Sequence, residues 1–347
     1  MAEHDDLASA VDDYLTRTYD GDRRRKLLDA GGWDTRLSAE LADLGWYSLA
    51  VPEERGGIGA SPADLGRVFM EYGRHLVVGP QLENSLLPAL VEGLTPDPAG
   101  IPAALVDPGV THDWVDDLGT LALTGRELDG TVDAVRFAVQ AGVLVVLVGG
   151  TVCLVDPDAP GVRIEALDSA DPGTAFGRVC FDGTVVRRVL ADGGLVDRIR
   201  AWARLLLACE LSGVARGALD RTVEYVAQRE QFGRPIGTFQ AVKHLAADMS
   251  ARSTSLNNLC LAALADADGV SDADLDLISA TAKAHAADAA VQVCEDAIQL
   301  HGGMGFTTEA DVSWYYRRAL ALRGWYGDAT ELQHRIGTAL LTTGSPR

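Results

Sequence analysis

Arg229-Glu230-Gln231-Phe232-Gly233-Arg234-Pro235-Ile236-Gly237-Thr238-Phe239-Gln240 is the first of two runs that organise this sequence, and Gln299-Leu300-His301-Gly302-Gly303-Met304-Gly305-Phe306 is the second. Each closes a long helical stretch. Ile199 to Glu230 reads as one helix, with the small residues Ala208, Ser212, Gly213, Ala215 and Gly217 permitting close approach of a second helix. Ala273 to Leu300 reads as another. Arginine at a helix C-terminus complements the macrodipole, and a glycine after the last turn caps it. Taken by itself, each run is therefore an ordinary helix end.

Upstream, residues 1–100 read as helical. Leu37 to Leu44 has apolar residues at helical spacing and stops at Gly45, and Ser61-Pro62-Ala63-Asp64 opens a helix that runs through Phe69, Met70 and Tyr72 to Gly73. Between about Ile101 and Leu190 the pattern changes to short valine-rich runs punctuated by Asp107-Pro108-Gly109, Asp129-Gly130, Asp156-Pro157-Asp158 and Asp182-Gly183, which predicts a small antiparallel β domain with turns at those sites. Phe137 to Val155 carries no charge and is long enough to span a bilayer, but its valine content and the Gly149-Gly150 break predict two buried strands joined by a tight turn.

The chain has 347 residues, 47% of them hydrophobic, enough for two or three globular domains. A net charge of −20 argues against nucleic acid or an anionic membrane as the main partner, and any anionic ligand would need a local arginine cluster. Cys153, Cys180, Cys209, Cys260 and Cys294 form no C-x-x-C pair and read as buried thiols in a reducing compartment. The acidic Met1-Ala2-Glu3-His4-Asp5-Asp6 start lacks a signal-peptide core, so cytoplasm is the expected setting. No metal-ligand spacing is evident.

The two opening runs resemble the acyl-CoA dehydrogenase family, the first matching its R.QFG..I..FQ pattern almost position for position. Glu71-Tyr72-Gly73-Arg74 and Pro52-Glu53-Glu54-Arg55-Gly56-Gly57 resemble its N-terminal motifs. The resemblance implies an α+β fold: a helical domain over 1–100, an antiparallel β domain over 101–192 and a C-terminal four-helix bundle over 193–347. It implies FAD as cofactor and an acyl-CoA thioester as substrate. Arg229 would pair with the flavin pyrophosphate, Phe232 would lie beside the adenine end, and Gln231, Gln299, Gly302 and Gly303 would complete contacts to a flavin held mostly by a neighbouring subunit.

The catalytic and ring-binding positions depart from the family pattern. The usual Tyr-Glu-Gly-Thr base motif reads Tyr326-Gly327-Asp328-Ala329 here, and the alternative base position on the long helix, one residue before Arg204, is Ala203. The stretches that would clasp the flavin ring, Val106 to Asp113 and Val132 to Arg136, lack the family's glycine-serine pair, aromatic and threonine. Asp328 is the candidate for a relocated base; Glu331 matches a structural glutamate, and His301 and His334 read as structural. These departures imply a base-lacking subunit of an α2β2 heterotetramer, as in actinobacterial breakdown of steroid side chains, with a homologous partner supplying the catalytic glutamate. The alternatives are a homomeric dehydrogenase using Asp328 and a flavin-free assembly subunit.

Overall fold

The computed structural model describes residues 2–109 and 119–342. Helices α1 (Ala2–Thr18), α2 (Gly21–Asp29), α3 (Thr35–Asp43), α4 (Pro62–His75) and α5 (Gln81–Leu90) come first. Strands β1 (Ala103–Val106), β2 (Gly119–Thr124), β3 (Glu127–Arg136), β4 (Val143–Val148), β5 (Thr151–Val155), β6 (Val162–Leu167), β7 (Phe176–Val185) and β8 (Arg188–Leu190) follow. Then come α6 (Leu195–Gln228), the short hairpin β9 (Glu230–Gln231) and β10 (Arg234–Pro235), α7 (Gln240–Asp266), α8 (Asp272–His301), α9 (Val312–Arg323) and α10 (Ala329–Thr342). This is the α+β arrangement expected, with helical parts flanking β sheets.

Local chemistry sets several of the boundaries. Ser61 and Asp64 form a reciprocal capping box at the start of α4, and Pro62 needs no backbone donor there. The helix passes the expected stop at Gly73 and ends at His75, with Leu76 in the left-handed region. Gly149 and Gly150, both at positive φ, make the two-residue turn that pairs Val148 with Thr151, so the charge-free segment is indeed a buried hairpin. Among the described residues, no helix is long and apolar enough to cross a membrane.

The strands form two four-stranded sheets, ordered β1-β4-β5-β8 and β2-β3-β7-β6. Two expectations fail here. The β region is not wholly antiparallel, because β1 pairs with β4 in parallel; the chain builds β2 and β3 in the other sheet between them, which supplies the crossover that parallel strands need. Asp129-Gly130 and Asp182-Gly183 are not turns but lie inside β3 and β7. There the register slips between Leu128 and Gly130, and Asp129 Oδ1 accepts from Gly183 N at 2.7 Å. Aspartate-glycine suits a bulge as well as a turn, and the facing strand decides which forms.

Helix α6 is the axis of the molecule, buried on most sides from Leu195 to Leu219. Its small residues meet α4: a Cβ on Gly213 would sit 1.8 Å from Met70 O, and one on Gly73 would sit 2.0 Å from Glu210 O. Backbone therefore touches backbone at this crossing. Arg204 near the start of α6 donates to Asp276 and Ser279 near the start of α8, and Tyr225 near its end stacks on His301, the last residue of α8. The two longest helices thus run parallel, and both end at the same end of the bundle.

Arg318 on α9 ties the three parts together. Its Nε donates to Asp171 Oδ2 at 2.7 Å, and its Nη1 donates to Glu210 Oε1 at 2.8 Å and to Val77 O at 3.2 Å. Burial opposes its charge, but the two carboxylates outweigh that and hold its pKa above the usual guanidinium range. Arg318→Met should cost about 3–5 kcal/mol of unfolding free energy in urea titrations, because two buried carboxylates lose their counter-charge; a loss below about 1 kcal/mol would show that the knot is not needed.

Candidate functional site

The six residues implicated in flavin contact lie together at the C-terminal end of α6 and α8. Helix α6 stops at Gln228, two residues short of the expected end, so Arg229 leaves it extended. The chain then folds into the β9–β10 hairpin, whose two turn residues, Phe232 at φ 57° and Gly233 at φ 78°, are both left-handed. Phe232 is 93% exposed. A non-glycine residue there is strained, and an aromatic so exposed has no apolar burial to offset that strain. Its ring meets Phe239 edge-on at 6.2 Å, and Arg234 stacks on Phe239 at 4.1 Å, which stiffens the hairpin.

Gln299 occupies the exposed last turn of α8, and Gly302 adopts φ 60°, ψ −138° just after it. Added Cβ atoms on Gly302 or Gly303 would meet nothing within 4 Å, so this backbone is open to an approaching group. The Tyr225–His301 stack, with ring centroids 4.2 Å apart, joins the two helix ends. His301 Nδ1 donates to Ala297 O at 2.8 Å, and burial lowers its pKa, which fits the structural role expected of it. Arg229 is exposed and has no carboxylate partner among the described residues. The ends of α6 and α8 thus present an exposed guanidinium, two exposed glutamines and an open glycine backbone.

At the other end of α6 the two family base positions are adjacent but closed. Ala203 is fully buried, and Arg204 Nε donates to Tyr326 O at 3.0 Å, holding the turn beside it. Gly327 sits at φ 106°, where a Cβ would come within 2.7 Å of Leu332. Lys283, buried on α8, donates to Arg323 O at 2.7 Å and Gly327 O at 3.3 Å and fixes the same turn. Asp328 Oδ1 accepts from Glu331 N at 2.8 Å, so the carboxylate caps the first turn of α10. His334 is exposed on α10.

The cavity at this turn measures about 70 Å³ and is lined by ion-pairing groups, among them Arg200, Arg204, Asp276 and Arg335. Arg200 grips buried Asp107 with two bonds at 2.7 and 2.8 Å. Asp276 holds Arg204 at 2.9 Å and Arg335 at 2.7 Å. Ligand pockets usually exceed about 300 Å³. Along the would-be ring clasp, Ala134 stands at φ 54° in a bulge, and buried Arg136 faces Glu83 at 2.8 Å. Phe176, the register partner of Arg136, stacks on Trp325 at 5.6 Å, so an aromatic pair links clasp and base turn. Val110 to Asp113 lie outside the described residues. Twenty-five residues of α6 separate Ala203 from Gln228, about 37 Å of helix.

Sequence reading missed one further cluster: Asp12 on α1 with Glu71 and His75 on α4, whose ligand atoms lie within 4.8 Å of one another. Only the i,i+4 half of it is visible in sequence. The Arg74 guanidinium, 3.2 Å from Asp12 and 3.6 Å from Glu71, already supplies a cation there.

The turn around Gly327 can be tested directly. Asp328→Ala should cost about 1 kcal/mol in urea unfolding through loss of the cap, whereas Asp328→Asn should cost a few tenths. Gly327→Glu should destabilise more than either, since it combines an unfavourable φ with the Leu332 collision; equal stability of all three variants would contradict this geometry.

Comparison with known proteins points one way. The family model for the acyl-CoA dehydrogenase C-terminal domain matches residues 197–341, and that for the acyl-CoA dehydrogenase N-terminal domain matches 1–93. Acyl-CoA dehydrogenase FadE34 of Mycobacterium tuberculosis is 35% identical over 89% of this chain, which spans only 42% of that longer protein. Acyl-CoA dehydrogenase IpdE2 of the same organism is 32% identical over 85% of this chain and 84% of its own length. The ChsE4-ChsE5 complex from Mycobacterium tuberculosis contains a chain similar at TM-score 0.87 and 27% identity, over 99% of this chain and 98% of that one. A variant of the Tcur3481-Tcur3483 steroid ACAD matches at TM-score 0.87 and 27% identity, over 99% of both chains.

Proposed function

This chain belongs to the acyl-CoA dehydrogenase family, and from that premise we propose that it is a subunit of an FAD-dependent enzyme that introduces an α,β double bond into an acyl-CoA thioester. In this reading the chain contributes the adenine and pyrophosphate side of a flavin site, and a homologous partner contributes the ring site, the acyl pocket and the catalytic glutamate. One contrast carries it: Arg229, Gln231 and Gln299 at the ends of α6 and α8 are exposed and Arg229 has no carboxylate partner among the described residues, while both base positions at the start of α6 are closed by Gly327, Ala203 and an ion-paired cavity.

The residues present fit one half of FAD. Arg229 would take the pyrophosphate through two parallel bonds, and Gly302 and Gly303 would let backbone approach a phosphate. Gln231 and Gln299 would orient the ADP part, and Phe232 would cover the adenine. FAD bound there supplies the hydride acceptor for the dehydrogenation. The stretches that would clasp the isoalloxazine lack the family's glycine-serine pair, aromatic and threonine, and Arg136 there is committed to Glu83 at 2.8 Å. A flavin shared across a subunit interface satisfies both facts. Similarity to a chain of the ChsE4-ChsE5 complex and to the Tcur3481-Tcur3483 steroid ACAD supports a heteromer acting on a steroid substrate, and a steroid side chain is the acyl group we propose. The setting we propose is the cytoplasm.

Asp328 is assigned to the helix cap and not to proton abstraction. In the complex with its partner, Arg229→Ala should weaken flavin retention by about tenfold or more with the fold unchanged, and unaltered flavin occupancy would return Arg229 to a mere helix-end charge. Asp328→Asn should leave turnover within a few-fold. A slowing of flavin reduction by about 10²–10⁴ with flavin still bound would instead make Asp328 the base and this chain a catalyst by itself.

A further inference from the structure

We propose that the groove between α9 and the loop leading into β7 is a binding site for a small carboxylate with a flat, apolar ring body. The groove holds about 270 Å³, just under the usual range for ligand pockets, which starts near 300 Å³. That volume suits a one- or two-ring molecule and not a cofactor. Its lining is largely apolar: Ala170, Phe176, Leu320, Ala321 and Trp325. Leu320 is 39% exposed, so apolar surface stands open to solvent there. Phe176 and Trp325 stack nearly parallel, at 16°, and offer a rigid aromatic edge.

The charge in the groove specifies the ligand. Asp171 at its edge is neutralised by Arg318 at 2.7 Å and further engaged by Gly173 N at 3.0 Å. Arg317 is the remaining charge. Its guanidinium lies over the Trp314 ring at 5.2 Å, and no carboxylate among the described residues pairs with it. Stacking on the indole orients the guanidinium without consuming its hydrogen-bond donors. An oriented, unpaired guanidinium at the rim of an apolar slot selects a carboxylate over an alcohol or an amine. A long acyl chain would overfill the slot, and an inorganic anion would leave its aromatic wall unused.

The groove lies on the flank of the Trp325–Gly327 turn, far from the flavin contacts at the end of α6, so its test stands whether or not the heteromer reading holds. The probe is naphthoate, titrated calorimetrically into the full chain, with naphthalenemethanol as the neutral comparator. The expected result is one saturable naphthoate site per chain, weakened about tenfold or more by Arg317→Gln. The alcohol should bind wild-type protein no better than naphthoate binds that variant. Ala321→Phe, which fills the slot and leaves the charge intact, should abolish binding while the melting temperature stays within a few degrees. Absence of saturable heat, equal affinity in Arg317→Gln, equal affinity for the alcohol, or binding that survives Ala321→Phe would each overturn the proposal.

Discussion

The buried guanidinium of Arg318 is the constraint on which the arrangement of parts depends. It meets Asp171 from the loop before β7, Glu210 from α6 and the carbonyl of Val77 after α4, so one side chain contacts the N-terminal, β and C-terminal portions at once. A charge taken out of water in this way is tolerated only with complete hydrogen bonding, and its partners are held as firmly as it is. Asp171 in turn accepts from Gly173 N and Thr174 Oγ1, which shapes the loop that forms one wall of the apolar groove. Glu210 stands at the point where α6 and α4 touch backbone to backbone.

With α6 pinned at its middle, its two ends acquire different environments. The C-terminal end runs out into solvent with the end of α8 beside it, and there the chain displays an arginine, amides, open glycines and a strained exposed phenylalanine. The N-terminal end is packed against the β sheets and α10, and there the chain pairs its buried charges inwardly: Asp107 with Arg200, Glu83 with Arg136, Asp276 with Arg204 and Arg335. An exposed donor set at one end and a closed, self-satisfied cavity at the other suit a chain that completes a partner's site instead of its own.

Legibility from sequence followed the range of the interactions concerned. The Gly149-Gly150 hairpin, the Ser61–Asp64 cap and the ends of α6 and α8 were readable because their causes lie within a few residues. Asp129-Gly130 misled because a bulge and a turn use the same dipeptide and only the facing strand separates them. The parallel β1–β4 pair was missed because it depends on where the intervening strands go. At the site, Gly327 and Ala203 could be located from the family pattern, but that pattern makes Asp328 a candidate base, and its role as cap of α10 appears only in its bond from Glu331 N. The ion pairs that close the cavity were invisible, since Asp107 and Arg200 are 93 residues apart and Arg204 and Asp276 are 72.

The central claim, that this chain supplies half of a shared flavin site, is tested most directly by counting flavin per protomer from visible absorbance. The count is made on the chain purified alone and again after co-expression with its homologous partner. The account predicts little flavin in the chain alone, and in the complex one flavin for each pair of unlike chains. A homomer carrying one flavin per chain would contradict it.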